Sequence, residues 1–351
     1  MDEKNIKKVL LTGITGSGGS YLAEYIVQNH PHIEVHGTIR WRSTSSKRNI
    51  AHILDRVKLH ECDLNDFGAV LKVIQTVRPD AVFHFADYSN VPASFTNPQA
   101  ALSNNILGTS ILLEAIRLAE ENPLFQLCST SEVYGQVLPE EIPIKEDTVM
   151  RPVSPYAISK AAQDMLGLAY FRSYNMRIVR TRMFTYLNPR RPDLFSTSFA
   201  RQIARIEAGL QKELLHGNLE CVRTVLDVRD AMEAYWAAVL RGAPGEAYNM
   251  GSDEPVSVGD FLDLLKSYSK ISIPMRFDPA LRRPADVPIL VPDLHKFRAS
   301  TGWEPKYSLE ESVPNLLNYW RERVHNEELC VPSGGKISSI KEDYFSDELD
   351  D

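Results

Sequence analysis

The sequence predicts an α/β fold, a doubly wound parallel sheet of the Rossmann type with a smaller C-terminal substrate-binding lobe. Three observations predict it. Short apolar runs alternate with helical patterns over the first half of the 351 residues. The first run passes straight into a cluster of glycines. The alternation then breaks after about Phe184, where a proline- and arginine-rich stretch intervenes.

Taken in order, Lys8–Thr12 (KVLLT) is a short apolar run, the pattern of a strand buried on both faces. Apolar residues at Tyr21-Leu22 and Ile26-Val27 follow with helical spacing. Ile33–Ile39 reads as the second strand. Val57–Leu59, Ala81–Phe85, Phe125–Ser129, Met176–Arg180 and Ala247–Met250 continue the series, with helices expected over Asp66–Val77, Asn104–Glu121 and Tyr156–Tyr174. Past Phe184, Asn188–Phe195 reads as a loop, Ser257–Ser269 as a helix capped by Ser257, and Leu309–Arg323 as an amphipathic helix. The expected division is a cofactor domain over 1–184, to which 226–256 returns, and a lobe over 185–225 and 257–325. A flexible acidic tail is expected over 326–351.

Bulk properties narrow the function. A formal net charge of -7 disfavours nucleic acid as a partner. No apolar run approaches the roughly 20 residues of a membrane helix, and the polar MDEKNIKK start lacks a signal peptide's apolar core. Cys62, Cys128, Cys221 and Cys330 are far apart, with neither metal-ligand nor disulfide-framework spacing. A cytoplasmic protein without a metal site is the expectation.

Gly13-Ile14-Thr15-Gly16-Ser17-Gly18-Gly19 lies between the first strand and the first helix. A tight turn, close backbone approach to a pyrophosphate and the free amides of a helix N-terminus all call for glycine there. The second strand then ends in Arg40-Trp41-Arg42-Ser43, where an acidic residue would grip the ribose hydroxyls of NAD. Guanidiniums fork onto phosphate oxygens, so NADP is favoured, with NAD the alternative. Asp63-Leu64, ending the third strand, is placed for the adenine.

Tyr156 and Lys160 stand four residues apart, on one helix face. An ammonium beside a phenol, together with the positive nicotinamide ring, favours phenolate and should bring its pKa down towards working pH. Thr130, Ser131 and Glu132 follow the Phe125–Leu127 run and put two hydroxyls and a carboxylate at the sheet's carboxyl edge, where open α/β sheets bind ligands. An ordinary helix cap would use the same residue types.

With GITGSGGSYLAE, VHGTIRWRST, STSEVYG, RPVSPYAISK, GNLECVRTVLDVRDAMEAYW and RRPADVP in place, the chain over roughly 7–324 resembles the extended short-chain dehydrogenase/reductases. Within them it is similar to the nucleotide-sugar epimerases and dehydratases, above all the GDP-mannose 4,6-dehydratases and GDP-4-dehydro-6-deoxy-mannose reductases. The resemblance implies that Gly13, Thr15, Gly16, Ser17, Gly18 and Gly19 hold the pyrophosphate and that Arg40, Arg42 and Ser43 meet the 2′-phosphate. It implies that Phe85, Ala86, Tyr88, Ser89, Tyr186 and Arg191 line the cofactor, and that Asn218, Arg223, Arg283 and Asp286 take the nucleotide diphosphate. Thr130, Ser131, Glu132, Tyr156 and Lys160 would be catalytic. The implied reaction is loss of water from a GDP-hexose, by internal hydride transfer through bound NADP. A 4-reductase, 4-epimerase or 4-oxidase is the alternative, and a homodimer or homotetramer is expected. Four departures fall near the expected sugar site. Thr185-Tyr186 replaces Asn-His, Thr224 an aspartate, Asp87 a small residue and Asn90 a histidine.

Overall fold

A computed structural model of the protein describes residues 5–41, 47–281 and 287–330, the last five as backbone only. The strands are β1 (Lys8–Thr12), β2 (Glu34–Ile39), β3 (Val57–Glu61), β4 (Ala81–His84), β5 (Leu124–Thr130), β6 (Ile178–Met183), β7 (Leu214–His216), β8 (Val222–Thr224), β9 (Ala247–Met250), β10 (Pro255–Ser257), β11 (Met275–Phe277) and β12 (Ile289–Leu290). The helices are α1 (Ser17–Asn29), α2 (Phe67–Val77), α3 (Val91–Thr96), α4 (Pro98–Leu102), α5 (Gly108–Leu118), α6 (Pro155–Tyr174), α7 (Phe195–Glu207), α8 (Val228–Arg241), α9 (Val258–Ser267), α10 (His295–Thr301) and α11 (Leu309–Cys330).

Seven strands form one parallel sheet in the order β3-β2-β1-β4-β5-β6-β9. This is the doubly wound sheet the alternating pattern predicts. One face packs on α1 and α8 through Leu11, Leu22, Phe83 and Trp236. The other packs on α2 and α5 through Leu10, Val82, Ile74 and Leu113. The order reverses between β1 and β4, so the carboxyl ends of those strands splay their loops apart and leave a crevice.

The lobe has its own core, where Phe199, Ile203, Phe261, Leu265 and Leu317 bring α7, α9 and α11 together. A three-stranded sheet β10-β8-β12 and a two-stranded sheet β11-β7 complete it. These strands are only two or three residues long and carry no readable alternation, and the sequence reading missed them. It also passed over α7 and α8. Ser257 caps α9, accepting from the Asp260 amide at 2.9 Å. Several boundaries differ from expectation, β6 lying at Ile178–Met183 rather than Met176–Arg180 among them. Ser103–Leu107 is a π-helical segment ahead of α5, and α11 runs on to Cys330. The remainder of the expected tail lies outside the described residues. No helix among the described residues is long and apolar enough to cross a membrane.

Candidate active site

The crevice, a cavity of about 110 Å³ at the carboxyl ends of β1–β4, is lined by Gly13, Thr15, Gly16, Arg40, Leu64 and Ala86 among others. Gly13 has φ +68°, and a Cβ there would stand 2.9 Å from Ala86 Cα. Only glycine lets the β1 turn lie against the β4 loop this way. Gly16 is the N-cap of α1 and offers no side chain to the first-turn amides. Gly18 sits under Phe85 and the Tyr186 hydroxyl. Arg40 lies at the crevice edge, exposed. Leu64 and Cys62 line the wall, whereas Asp63 is exposed and binds the Asn65 amide at 2.9 Å. Arg42, Ser43, Arg283 and Asp286 lie outside the described residues.

The β4 loop is fixed from beneath. Thr12 Oγ1 accepts from the Phe85 and Ala86 amides at 3.1 and 3.2 Å. The same oxygen is 2.7 Å from His84 Nδ1, and His84 Nε2 is 2.8 Å from Thr109 Oγ1. With Thr12 already accepting twice, its own proton goes to Nδ1. This assigns His84 as the neutral Nε2–H tautomer. Burial agrees, holding its pKa down to about 4. Asn105 accepts from the Tyr88 amide at 2.7 Å and donates to Ser159 on α6 at 2.8 Å, tying the far end of the loop to that helix. Arg191 donates to the Ser89 carbonyl at 2.7 Å.

Helix α6 starts where Ser154 accepts from the Ala157 amide at 3.0 Å, with Pro155 in its first turn. It buries both Tyr156 and Lys160. Lys160 Nζ donates to Asp87 Oδ2 at 2.5 Å and to the Cys128 carbonyl. Gln163 Nε2 donates to the other oxygen of Asp87 at 2.9 Å and to Thr109 at 2.5 Å. A buried polar chain therefore runs Thr12–His84–Thr109–Gln163–Asp87–Lys160, ending one helical turn from Tyr156.

The arrangement sets the balance of forces on the phenol. Burial pushes Tyr156 up to about 12, against the downward pull of Lys160 and Arg191 and with Asp87 adding to the rise. Lys160 still pulls the phenol down, by more than Asp87 pushes it up, but burial outweighs that pull. Desolvation pulls Lys160 down, but Asp87 leads the groups that more than offset it, so the amine is held charged. Tyr186 is also pushed up to about 12 by burial.

Thr130 ends β5, and its hydroxyl accepts from the Glu132 amide at 3.3 Å, capping the short 3-10 turn Ser131–Val133. The cap and the site therefore share residues. Ser131 is buried and Glu132 half-buried. On the lobe side, Arg223 donates to the Val222 and Val287 carbonyls, both at 2.8 Å, and so staples β8 to the chain entering β12. Asn218 accepts from the Glu220 amide at 2.9 Å. The sequence reading singled out Asp87 only as a departure and missed its partner, along with Gln163, Thr109 and Asn105. The one available signal was an acidic residue in a loop otherwise marked as cofactor-lining.

Comparison with known proteins follows the same lines. A family model described as GDP-mannose 4,6 dehydratase matches residues 10–316. The chain is 31% identical to a GDP-6-deoxy-D-mannose reductase of Pseudomonas aeruginosa over 324 residues, 92% of this chain and 99% of that one. It is 31% identical to a GDP-mannose 4,6-dehydratase of Yersinia enterocolitica over 372 residues, 95% and 99% of the two chains. Among solved structures, RMD from Pseudomonas aeruginosa complexed with NADPH is similar with a TM-score of 0.78 at 28% identity, covering 90% of this chain and 99% of that one. The UDP-glucose 4-epimerase of Thermus thermophilus in complex with NAD is similar with a TM-score of 0.80 at 27% identity and the same coverage.

Proposed function

Because the chain belongs to the GDP-mannose 4,6-dehydratase family, we propose that it is an NADP-dependent lyase converting a GDP-hexose, GDP-mannose first, to its 4-dehydro-6-deoxy form with loss of water. The single observation that carries the reading is the meeting of three parts at the carboxyl edge of one sheet. They are the glycine crevice, the Tyr156–Lys160 pair and the Thr130–Glu132 turn.

The residues present fit a nicotinamide dinucleotide. The α1 N-cap offers its first-turn amides to a diphosphate without a competing side chain, and Arg40 is exposed at the crevice edge for a 2′-phosphate, with Arg42 and Ser43 next in the chain. Gly13, Thr15, Gly16, Ser17, Gly18 and Gly19 hold the diphosphate, and Leu64, Phe85, Ala86, Tyr88, Ser89, Tyr186 and Arg191 surround the rest. When bound, the dinucleotide supplies an acceptor for the C4 hydride and returns a hydride at C6. Tyr156, as phenolate once the cationic ring of the dinucleotide adds its pull to that of Lys160, takes the C4 hydroxyl proton, and Thr130 hydrogen-bonds the C4 oxygen. The resulting ketone acidifies C5–H, which Glu132 removes. Glu132, with Ser131 beside it, then protonates the departing C6 hydroxyl, and Tyr156 returns the proton it took to C5 as the hydride arrives at C6. Asn218, Arg223, Arg283 and Asp286 take the GDP moiety in the lobe made by 185–225 and 257–325. We further propose a cytoplasmic homodimer, or a tetramer built from it, pairing through α5 and α6. The support is apolar exposure along them at Leu118, Ile158, Met165 and Tyr174, with Leu107 just ahead of α5.

The test is incubation of the purified protein with GDP-mannose and other nucleotide sugars, reading for product lighter by one water with no net change in NADPH. Glu132→Gln should abolish water loss while dinucleotide still binds; full turnover in that variant refutes the lyase assignment. The Pseudomonas reductase, matched over nearly its whole length, favours a second reading. In it Tyr156 donates a proton to a C4 ketone, and stoichiometric NADPH consumption with a 4-keto sugar identifies that case.

A further inference from the structure

Lys160 sits at the end of a chain of buried polar groups, and its immediate partner is a full negative charge. The Asp87 and Lys160 side chains are 7% and 1% exposed and meet at 2.5 Å. Each Asp87 oxygen is claimed, one by Lys160 and one by Gln163. The loop carrying Asp87 cannot drift, because the two preceding amides are held by Thr12 and Ala86 is pressed against Gly13. Asp87 also lines the crevice itself. The other ionisable groups facing the pair are His84 from β4, Cys128 from β5, Tyr156 on the same helix, and Arg191 and Tyr186 from the loop after β6. His84 and Cys128 are neutral, and burial keeps the two phenols neutral as well. Arg191 has Asp193 as its own carboxylate. The charge balance of the Lys160 ammonium therefore falls to Asp87.

We propose that Asp87 is a positioning residue that clamps Lys160 as half of a buried neutral pair and, by cancelling the ammonium charge, biases the crevice towards the oxidised, cationic nicotinamide over the reduced, neutral one. A lone ammonium in this low-dielectric place would repel a positive ring and leave the reduced form untouched. A neutral pair does not discriminate in that way. A dehydratase must rest with the oxidised form bound, so the pair would keep such an enzyme ready for the first hydride. The inference rests on the proposed function in one respect, that a nicotinamide dinucleotide occupies the crevice.

The experiment is binding, without any sugar, of NADP⁺ and NADPH separately by calorimetry near neutral pH. The readout is the ratio of their dissociation constants, Kd(NADP⁺) over Kd(NADPH). Asp87→Asn keeps the shape and strands the ammonium, and the ratio should rise about tenfold, equivalent to about 30 mV in the potential of the bound couple. The double variant Asp87→Asn/Lys160→Gln is neutral again and should return the ratio to the wild-type value. A purely structural role for Asp87 would weaken both forms alike and leave the ratio still. Should Asp87→Asn fail to fold, Lys160→Met leaves a carboxylate instead; at alkaline pH its ratio should fall below wild type by a similar factor. A ratio within twofold of wild type, or a shift of the opposite sign, in whichever single variant folds overturns the proposal. Failure of the two ideas is separable. A protein showing these ratios while converting no nucleotide sugar refutes the function and leaves this inference standing. One that converts sugar with unchanged ratios does the reverse.

Discussion

Lys160 and Asp164 lie one turn apart on α6, and each is the centre of a buried ionic cluster. Asp164 accepts from Arg180 Nη1 at 2.7 Å and from Arg182 Nε and Nη2 at 2.9 and 3.0 Å. It is wholly buried between the helix and β6. Its partners are guanidiniums, which do not give up a proton in proteins. Although burial pulls the other way, the two arginines hold its carboxyl below the usual range. Lys160 is held by one carboxylate and one carbonyl, that carboxylate (Asp87) lines the crevice, and a phenol shares its helix face. A planar fork on each side fixes geometry, whereas an ammonium with a single carboxylate fixes charge. The difference teaches that burying an ion pair says little about its role, and that the partner's chemistry and the open side decide it. The Asp164 cluster reads as a strut joining α6 to the sheet, and the Lys160 cluster as machinery.

The largest effect that separates them is catalytic. Tyr156→Phe should lower kcat by about 10²–10⁴ with an unchanged melting temperature, since the ring stays in place. A large loss of stability instead would make this turn of α6 another strut. Next comes Asp164→Asn, which strands two buried guanidiniums and should cost about 3–5 kcal/mol in denaturant melts, with kcat per folded molecule unaltered. An activity loss beyond the folded fraction would break the comparison from the other side.

The two clusters should also differ in acid. His84, three hydrogen bonds behind Asp87, is held near 4 by burial against an ordinary value of 6.5. The unfolded chain therefore binds that proton first. The contribution is complete above about 6.5 and drains away as pH falls towards 4, about 3 kcal/mol in all. Asp164 has a depressed pKa, so its contribution is intact throughout that window and is lost only at more acid pH. Stability measured from pH 7 to 4 should flatten in His84→Gln and keep its slope in Asp164→Asn. The smallest effect concerns the loop that carries Asp87. Gly13→Ala, with φ +68° and a contact of 2.9 Å to Ala86, should cost roughly 1–3 kcal/mol and weaken dinucleotide binding. Unchanged binding would mean that the loop's placement does not govern the Lys160 side.

Much of this molecule was legible along the chain. Helix periodicity, buried strand runs and the N-cap at Ser257 are local properties, and they placed β1–β6, α1, α2, α6 and α9 within a few residues. The glycines declared a close approach because only one residue type tolerates it. Tyr156 and Lys160 were readable together because a helix of fixed pitch joins them. The lobe was less readable, as β7, β8 and β10–β12 are too short to show alternation and are held by pairing with distant segments.

By itself the sequence determined the sheet, the crevice at its edge and the identities of the groups that meet there. Only the tertiary structure decided the electrical state of the site, for it brings Asp87 across 73 residues to Lys160 and removes both from water. Charge interactions scale with distance and local dielectric, and neither quantity exists until the chain has folded. What the lysine achieves on the phenol therefore depends on burial and on a carboxylate contact that no spacing along the chain records.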